Sequence, residues 1–241
     1  RLSIPVRATV ADVALSGQAS VDASVAPARL KLTLGAHDSG LGNLAGLLFG
    51  MHDVKGNLRR LDLRIAARGD SGAELMESLD VRADVEEGHL SYGNGEGGHP
   101  VQFSLDDFEL VLPAGKDLYA STRGTLMDES FSASLRGASL TELMQQAHAP
   151  VDFELQAGSA RAQVHALLQP AAADSGSQVE FELSAPHSGE IASWLGLKPG
   201  ADAPVNLRGN FHTDSAGWHL SGFALQLGHS ALAVEAQQQR G

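Results

Sequence analysis

Residues 131–168 read FSASLRGASLTELMQQAHAPVDFELQAGSARAQVHALL, and this stretch decides the fold. Phe131, Ala133 and Leu135 alternate with serines, and Gly137 interrupts the strand. Ser139 then opens Ser-Leu-Thr-Glu142, a capping box. Its hydroxyl can accept an orphan amide of the first turn while the Glu reaches back. The helix ends by about His148, because Pro150 cannot continue it. Val151, Phe153 and Leu155 next alternate with Asp152, Glu154 and Gln156, as a half-buried strand requires.

The same phrase recurs loosely. Residues 63–85, LRIAARGDSGAELMESLDVRADV, carry a second capping box at Ser71 and Glu74. Residues 32–50 offer Ser39 as a cap for a helix over 39–51, and residues 181–196 offer Ser188 for a helix carrying Trp194. The capping serines are unevenly spaced, so the repeat is degenerate and not a strict solenoid. Around these helices lie about a dozen alternating segments, among them Leu2 to Val10, Val13 to Val25, Arg29 to Leu34, 101–112 and 116–124. Strands follow strands through short Gly-rich connections, which predicts antiparallel meanders. Near the end, a turn at Asp214 to Gly217 places Phe211 opposite Trp218, and the phase change at Gly222-Phe223 predicts a bulge.

Composition narrows the function. At 241 residues, with 43% apolar and 19% charged residues, the chain has enough apolar material to fold. A net charge of −12 argues against nucleic acid and against unassisted adhesion to anionic membranes. No cysteine is present, so disulfides and thiolate chemistry are excluded. No run approaches the about 20 apolar residues of a spanning helix. The opening Arg1-Leu-Ser-Ile-Pro reads as mid-strand and not as a signal peptide, which suggests an excised piece of a longer chain. We expect one elongated β domain over 1–241, with a weak boundary at 169–177, QPAAADSGS.

Motifs of chemistry are weak. Gly93, Gly95 and Gly98 match G-x-G-x-x-G, but a strand follows at Val101 where a dinucleotide site needs a helix N-terminus, so the segment reads as a hairpin tip. Ser71 lacks the second Gly of a nucleophile elbow and reads as a cap. The ten histidines form no metal-ligand spacing, although His212 and His219 share the outer face of one hairpin and could meet diagonally. The expectation is therefore no catalytic residue, no metal and no cofactor.

The apolar stripe has two readings. Alternation alone favours an ordinary closed core, because most such strands bury one. The other reading is an open sheet whose apolar face holds lipid chains. A membrane barrel is disfavoured by two Tyr and two Trp, too few for aromatic girdles.

Two stretches carry a resemblance. Residues 54–81, which open VKGNLRRLDLRI and close RGDSGAELMESLDV, resemble the AsmA family. So does WHLSGFALQLGHSAL at 218–232, a strand, G-x-S, apolar pattern, although Ala233 stands where the family's usual Gly follows. The similarity runs loosely over residues 30–236. It implies a curved, taco-like antiparallel sheet with an apolar inner face and about four short capped helices. It also implies a periplasmic segment of a protein held in the inner membrane by an anchor outside this chain. Phospholipid acyl chains would be its cargo towards the outer membrane, with outer-membrane assembly proteins as further partners. The lining residues would be Leu61, Leu63, Ile65, Val151, Phe153, Leu155, Val179, Phe181, Leu183, Val205, Leu207 and Phe211. Two rivals stand beside this reading. One is a closed β scaffold or interaction module of the envelope. The other is a glycan hydrolase, which needs paired carboxylates in an aromatic cleft, and 5% aromatic content counts against it.

Overall fold

The computed structural model describes residues 1–10, 13–40, 54–92, 101–127, 129–144, 149–168, 176–194 and 202–239. Its strands are β1 (Leu2–Val10), β2 (Val13–Asp22), β3 (Arg29–Gly40), β4 (Val54–Arg68), β5 (Asp80–Tyr92), β6 (Val101–Leu112) and β7 (Asp117–Leu126). They continue as β8 (Glu129–Ser139), β9 (Ala149–Ala157), β10 (Ala160–Leu168), β11 (Ser177–Ala185), β12 (Val205–Asp214), β13 (Gly217–Leu227) and β14 (Ser230–Gln239). Among the described residues three short helices interrupt them: α1 (Gly72–Glu77), α2 (Leu140–Met144) and α3 (Ser188–Trp194).

All the strands join one 14-stranded sheet in simple chain order, each antiparallel to the last. Because β1 and β14 lie at opposite ends of that order, the sheet is open and does not close into a barrel. β10 and β11 pair from Arg161↔Ser184 to Leu167↔Gln178, so the sheet runs on across the linker-like stretch; residues 169–175 lie outside the described set.

A single sheet buries little. The chain exposes 15037 Å². A compact monomer of its 25.1 kDa would expose about 10,000 Å². Many buried apolar residues sit at or near strand ends, among them Val13, Phe131, Ala149, Ala160, Ala185 and Val205, while Leu58 and Ala36 are buried within strands and Ala36 forms a small cluster with Val13 and Leu15. Most other mid-strand apolar residues are half-buried. Among the described residues the closed core favoured by alternation alone is therefore not formed: alternation specifies an apolar face, but not a second layer to cover it.

The helices are fixed by local caps. At α2 the capping box forms in full, with the Ser139 amide donating to Glu142 Oε2 at 2.9 Å and the Glu142 amide to Ser139 Oγ at 3.3 Å. At α1 only half of it forms. Glu74 donates its amide to Ser71 Oγ at 3.3 Å, but its carboxylate accepts from Asp70, one residue earlier. Ser188 opens α3 and accepts from the Ala203 amide at 3.2 Å, which ties the helix to the far end of its own connection. Ser39 differs from expectation. β3 continues through a left-handed Asp38 (φ 47), so Ser39 pairs with Leu58 as a strand residue and donates to the His37 carbonyl. The rest of the helix expected over 39–51, and the Gly-rich segment at 93–99, lie outside the described residues.

The last hairpin corrects another expectation. Asp214 pairs with Gly217, which fixes Thr213↔Trp218 and Phe211↔Leu220, two residues away from the predicted Phe211–Trp218 pair. Asp214 Oδ1 sets this register by accepting from the amides of Ala216 (2.8 Å) and Gly217 (3.0 Å). A shift of two keeps every side chain on its face, and the Phe211 and Trp218 rings still stack diagonally at 6.1 Å. The predicted bulge is present: the β13–β14 register shifts between Leu220 and Phe223, with Gly222 at φ +59.

Candidate functional site: an uncovered apolar face

Strand register turns the alternation of single strands into rows that cross the sheet. One row begins Val6↔Gly17↔Leu34↔Leu63↔Ala83↔Leu110. It continues Ala120↔Leu135↔Phe153↔Val164↔Phe181↔Gly209, joined to the first half by Leu110↔Ala120. No polar side chain interrupts it, over a span of about 50 Å at ~4.8 Å per strand. The next row runs Leu61↔Val85↔Phe108↔Thr122↔Ala133↔Leu155. From there it passes through Ala162, Leu183, Leu207 and Leu225 to Leu232. Its lone hydroxyl, Thr122 Oγ1, is occupied: it donates to the Asp107 carbonyl at 2.9 Å.

All twelve residues expected to line a groove fall on this face. Leu63, Phe153 and Phe181 lie in the first row, and Leu61, Leu155, Leu183 and Leu207 in the second. Ile65, which pairs with Val81, lies one position further along β4. Val151, Val179 and Phe211 occupy the corresponding flank beyond Phe153, along Val151↔Ala166↔Val179↔Phe211. Eleven of them are half-buried; Val205, at the head of β12, is buried. The structure thus brings the set onto one surface, and it adds residues that sequence reading missed: Leu110, Leu135 and Val164 in the first row, and Phe108 in the second. Their alternation was legible, but their place in a row needs register.

Two glycines shape this surface. A Cβ on Gly209 would lie 2.7 Å from the Phe181 ring, so Phe181 fills the space of an absent side chain. Gly124 is covered likewise by Phe131, whose ring meets Phe103 at a centroid distance of 4.8 Å. At one border, α1 sits on the apolar side. Gly69 follows Ala67 at an interval of two, and its missing Cβ would strike Glu74 Cβ at 2.6 Å and the Leu75 amide at 2.7 Å.

The opposite face is ionic. Asp62, Asp84 and Glu109 stand directly across from one another, and so do Arg64 and Arg82. Such like-charge rows are unfavourable alone. Pairs of opposite charge offset them: Arg60–Asp62 at 2.7 Å and Arg82–Asp84 along one strand, Arg82–Glu109 diagonally, and Arg123 directly across from Asp107. A cavity of about 1040 Å³ opens on this face between β4 and β10, lined by these charges. Five of its carboxylates, Asp62, Asp84, Glu86, Asp107 and Glu109, are held by arginines, and Val85, Phe108, Tyr119 and Leu155 also border it. His212 and His219 are directly opposed across β12 and β13, not diagonal. Among the described residues no three metal-ligating side chains converge.

His165 Nδ1 lies 2.7 Å from Asp152 Oδ1 on the ionic face. The hydrogen bond to Asp152 raises its pKa above the ordinary histidine value, and Glu180 and Glu154 add to the effect. A folded-state pKa above the unfolded one adds stability that is complete below the unfolded value and is lost as pH rises through the folded value. By NMR titration, His165 should therefore titrate above a free histidine, and Asp152→Asn should bring it down.

Among the described residues no helix is long and apolar enough to cross a membrane. No protein-family model, no curated protein and no solved structure matches this chain.

Proposed function

We propose that this chain is a non-enzymatic lipid-binding segment that holds phospholipid acyl chains on its apolar face. In this reading it belongs to an AsmA-like protein of the Gram-negative periplasm, anchored in the inner membrane through a segment outside this chain, and passes lipid towards the outer membrane. One observation carries the proposal: two cross-strand rows of apolar residues, the second interrupted only by Thr122, stay largely half-exposed across the sheet, with no second layer over them among the described residues.

The mechanism needs no bond chemistry. Each CH₂ left in water costs about 0.8 kcal/mol, whereas a chain passing from bilayer to apolar face exchanges one apolar surroundings for another at little net cost. Rows at successive i, i+2 positions lie ~7 Å apart, so the three rows at Leu61, Leu63 and Ile65 form a band on which an alkyl chain can rest. The ionic face keeps the back of the sheet hydrated, and the head group stays in water beyond the band.

The purified chain, sprayed under native conditions and extracted for lipid, should carry phospholipid in near-stoichiometric amount. A lipid-free chain that also takes up no phospholipid from vesicles would end the proposal.

A further inference from the structure

The cavity on the ionic face changes character along the sheet. Between β4 and β7 Arg60, Arg82 and Arg123 hold five of its carboxylates. Across β8, β9 and β10 its polar lining turns to uncommitted groups. Register sets six of them in a grid of two adjacent rows, Ser132↔Gln156↔Arg161 and Ser134↔Glu154↔Gln163. Among the described residues none of these six side chains is hydrogen-bonded or ion-paired to another protein group. Glu154 and Arg161 are diagonal neighbours within the grid, yet each keeps its hydrogen-bonding capacity for something else.

We propose that this grid is a second binding site, for a neutral, hydroxyl-rich glycan, on the face opposite the apolar rows. An anionic ligand would meet Glu154 and a chain of net charge −12, and a cationic one would meet Arg161. A hydroxyl suits both, because it accepts from a guanidinium and donates to a carboxylate at the same time. Neighbouring hydroxyls of one sugar ring can thus be shared between Arg161 and Glu154 in charge-assisted hydrogen bonds, the stronger kind. The Gln156 and Gln163 amides and the two serine hydroxyls, which donate and accept, take the rest. The grid measures two strand spacings by one two-residue step, about 10 Å by 7 Å, the footprint of a sugar ring with its hydroxyls. Tyr119, 36% exposed, gives the same cavity an aromatic side chain against which the apolar edge of a ring can lie. The site binds and does no bond chemistry. The inference stands apart from the lipid reading, since it uses the other face of the sheet.

The chain is titrated with maltotetraose, cellotetraose and chitotetraose, and binding is followed by saturation-transfer NMR. At least one of the three should bind saturably. Glu154→Gln and Arg161→Gln, both at exposed positions, should leave circular dichroism unchanged and each weaken that binding roughly tenfold, the loss of one charge-assisted hydrogen bond. Phe181→Asp, on the apolar face, should leave it unchanged. No saturable binding of any of the three, or binding that either Glu154→Gln or Arg161→Gln leaves unaltered, overturns the proposal.

Discussion

Replacing Phe153 and Phe181 together by Asp abolishes lipid retention while leaving β-content, read by circular dichroism, intact. The two rings share the first apolar row, separated by Val164 alone. Both are half-buried, so in the lipid-free sheet a carboxylate at either place still reaches water, and the fold is spared the cost of an interred charge. An acyl chain lying over the row removes that water. Losing two aromatic contacts costs about 3–6 kcal/mol at about 1.5–3 kcal/mol each, and desolvating two carboxylates adds to this. Affinity should therefore fall at least about 100-fold, since ~1.4 kcal/mol is tenfold. Neutralising Glu154 and Glu180, which occupy the ionic face of the same two strands, should change nothing in the same assay. Retention unaltered by the double Asp substitution removes the apolar face from the account.

The second large effect is on folding. Gly124 is buried where the β6–β7 register shifts between Leu105 and Asp107. A Cβ there would stand 1.9 Å from the Ser104 carbonyl oxygen and 2.9 Å from the Phe131 ring. The ring could swing away, but the carbonyl belongs to the neighbouring strand, so the two strands must part. Gly124→Ala should destabilise by about 2–4 kcal/mol, in the range of severe overpacking, with melting lowered by roughly 5–15 °C for a chain of this size. Gly72→Ala is the matched control: a Cβ there meets nothing within 4 Å. Equal melting of the two variants would contradict the role given to Gly124.

Fold class and face assignment were legible because they depend on period-two alternation, which Val151, Phe153 and Leu155 show as clearly in the string as in the sheet. The capping box at Ser139 was legible because both partners lie within four residues. Legibility ended where the decision was made at a distance. At Ser39 a Ser followed by small residues reads as a cap, yet pairing with Leu58 of β4 holds it in a strand. In the last hairpin the turn chemistry of Asp214 moved the register by two, a choice to which alternation is blind. The rows themselves were invisible. Leu135 and Val164 gain their place only once neighbouring strands are set side by side, and nothing in the string says that no second layer covers them. The ionic ladder was hidden for the same reason: Arg82 sits two residues from Asp84, but Glu109 reaches it only through β5–β6 register.

The most direct test of the central claim is photo-crosslinking with a phospholipid bearing a diazirine in its acyl chain, followed by peptide mapping of the adducts. The account predicts adducts on Leu135, Phe153, Val164 and Phe181, and none on Ser134, Glu154, Gln163 and Glu182, which lie on the same strands with the opposite facing. Adducts spread equally over both sets, or confined to the second, would contradict it.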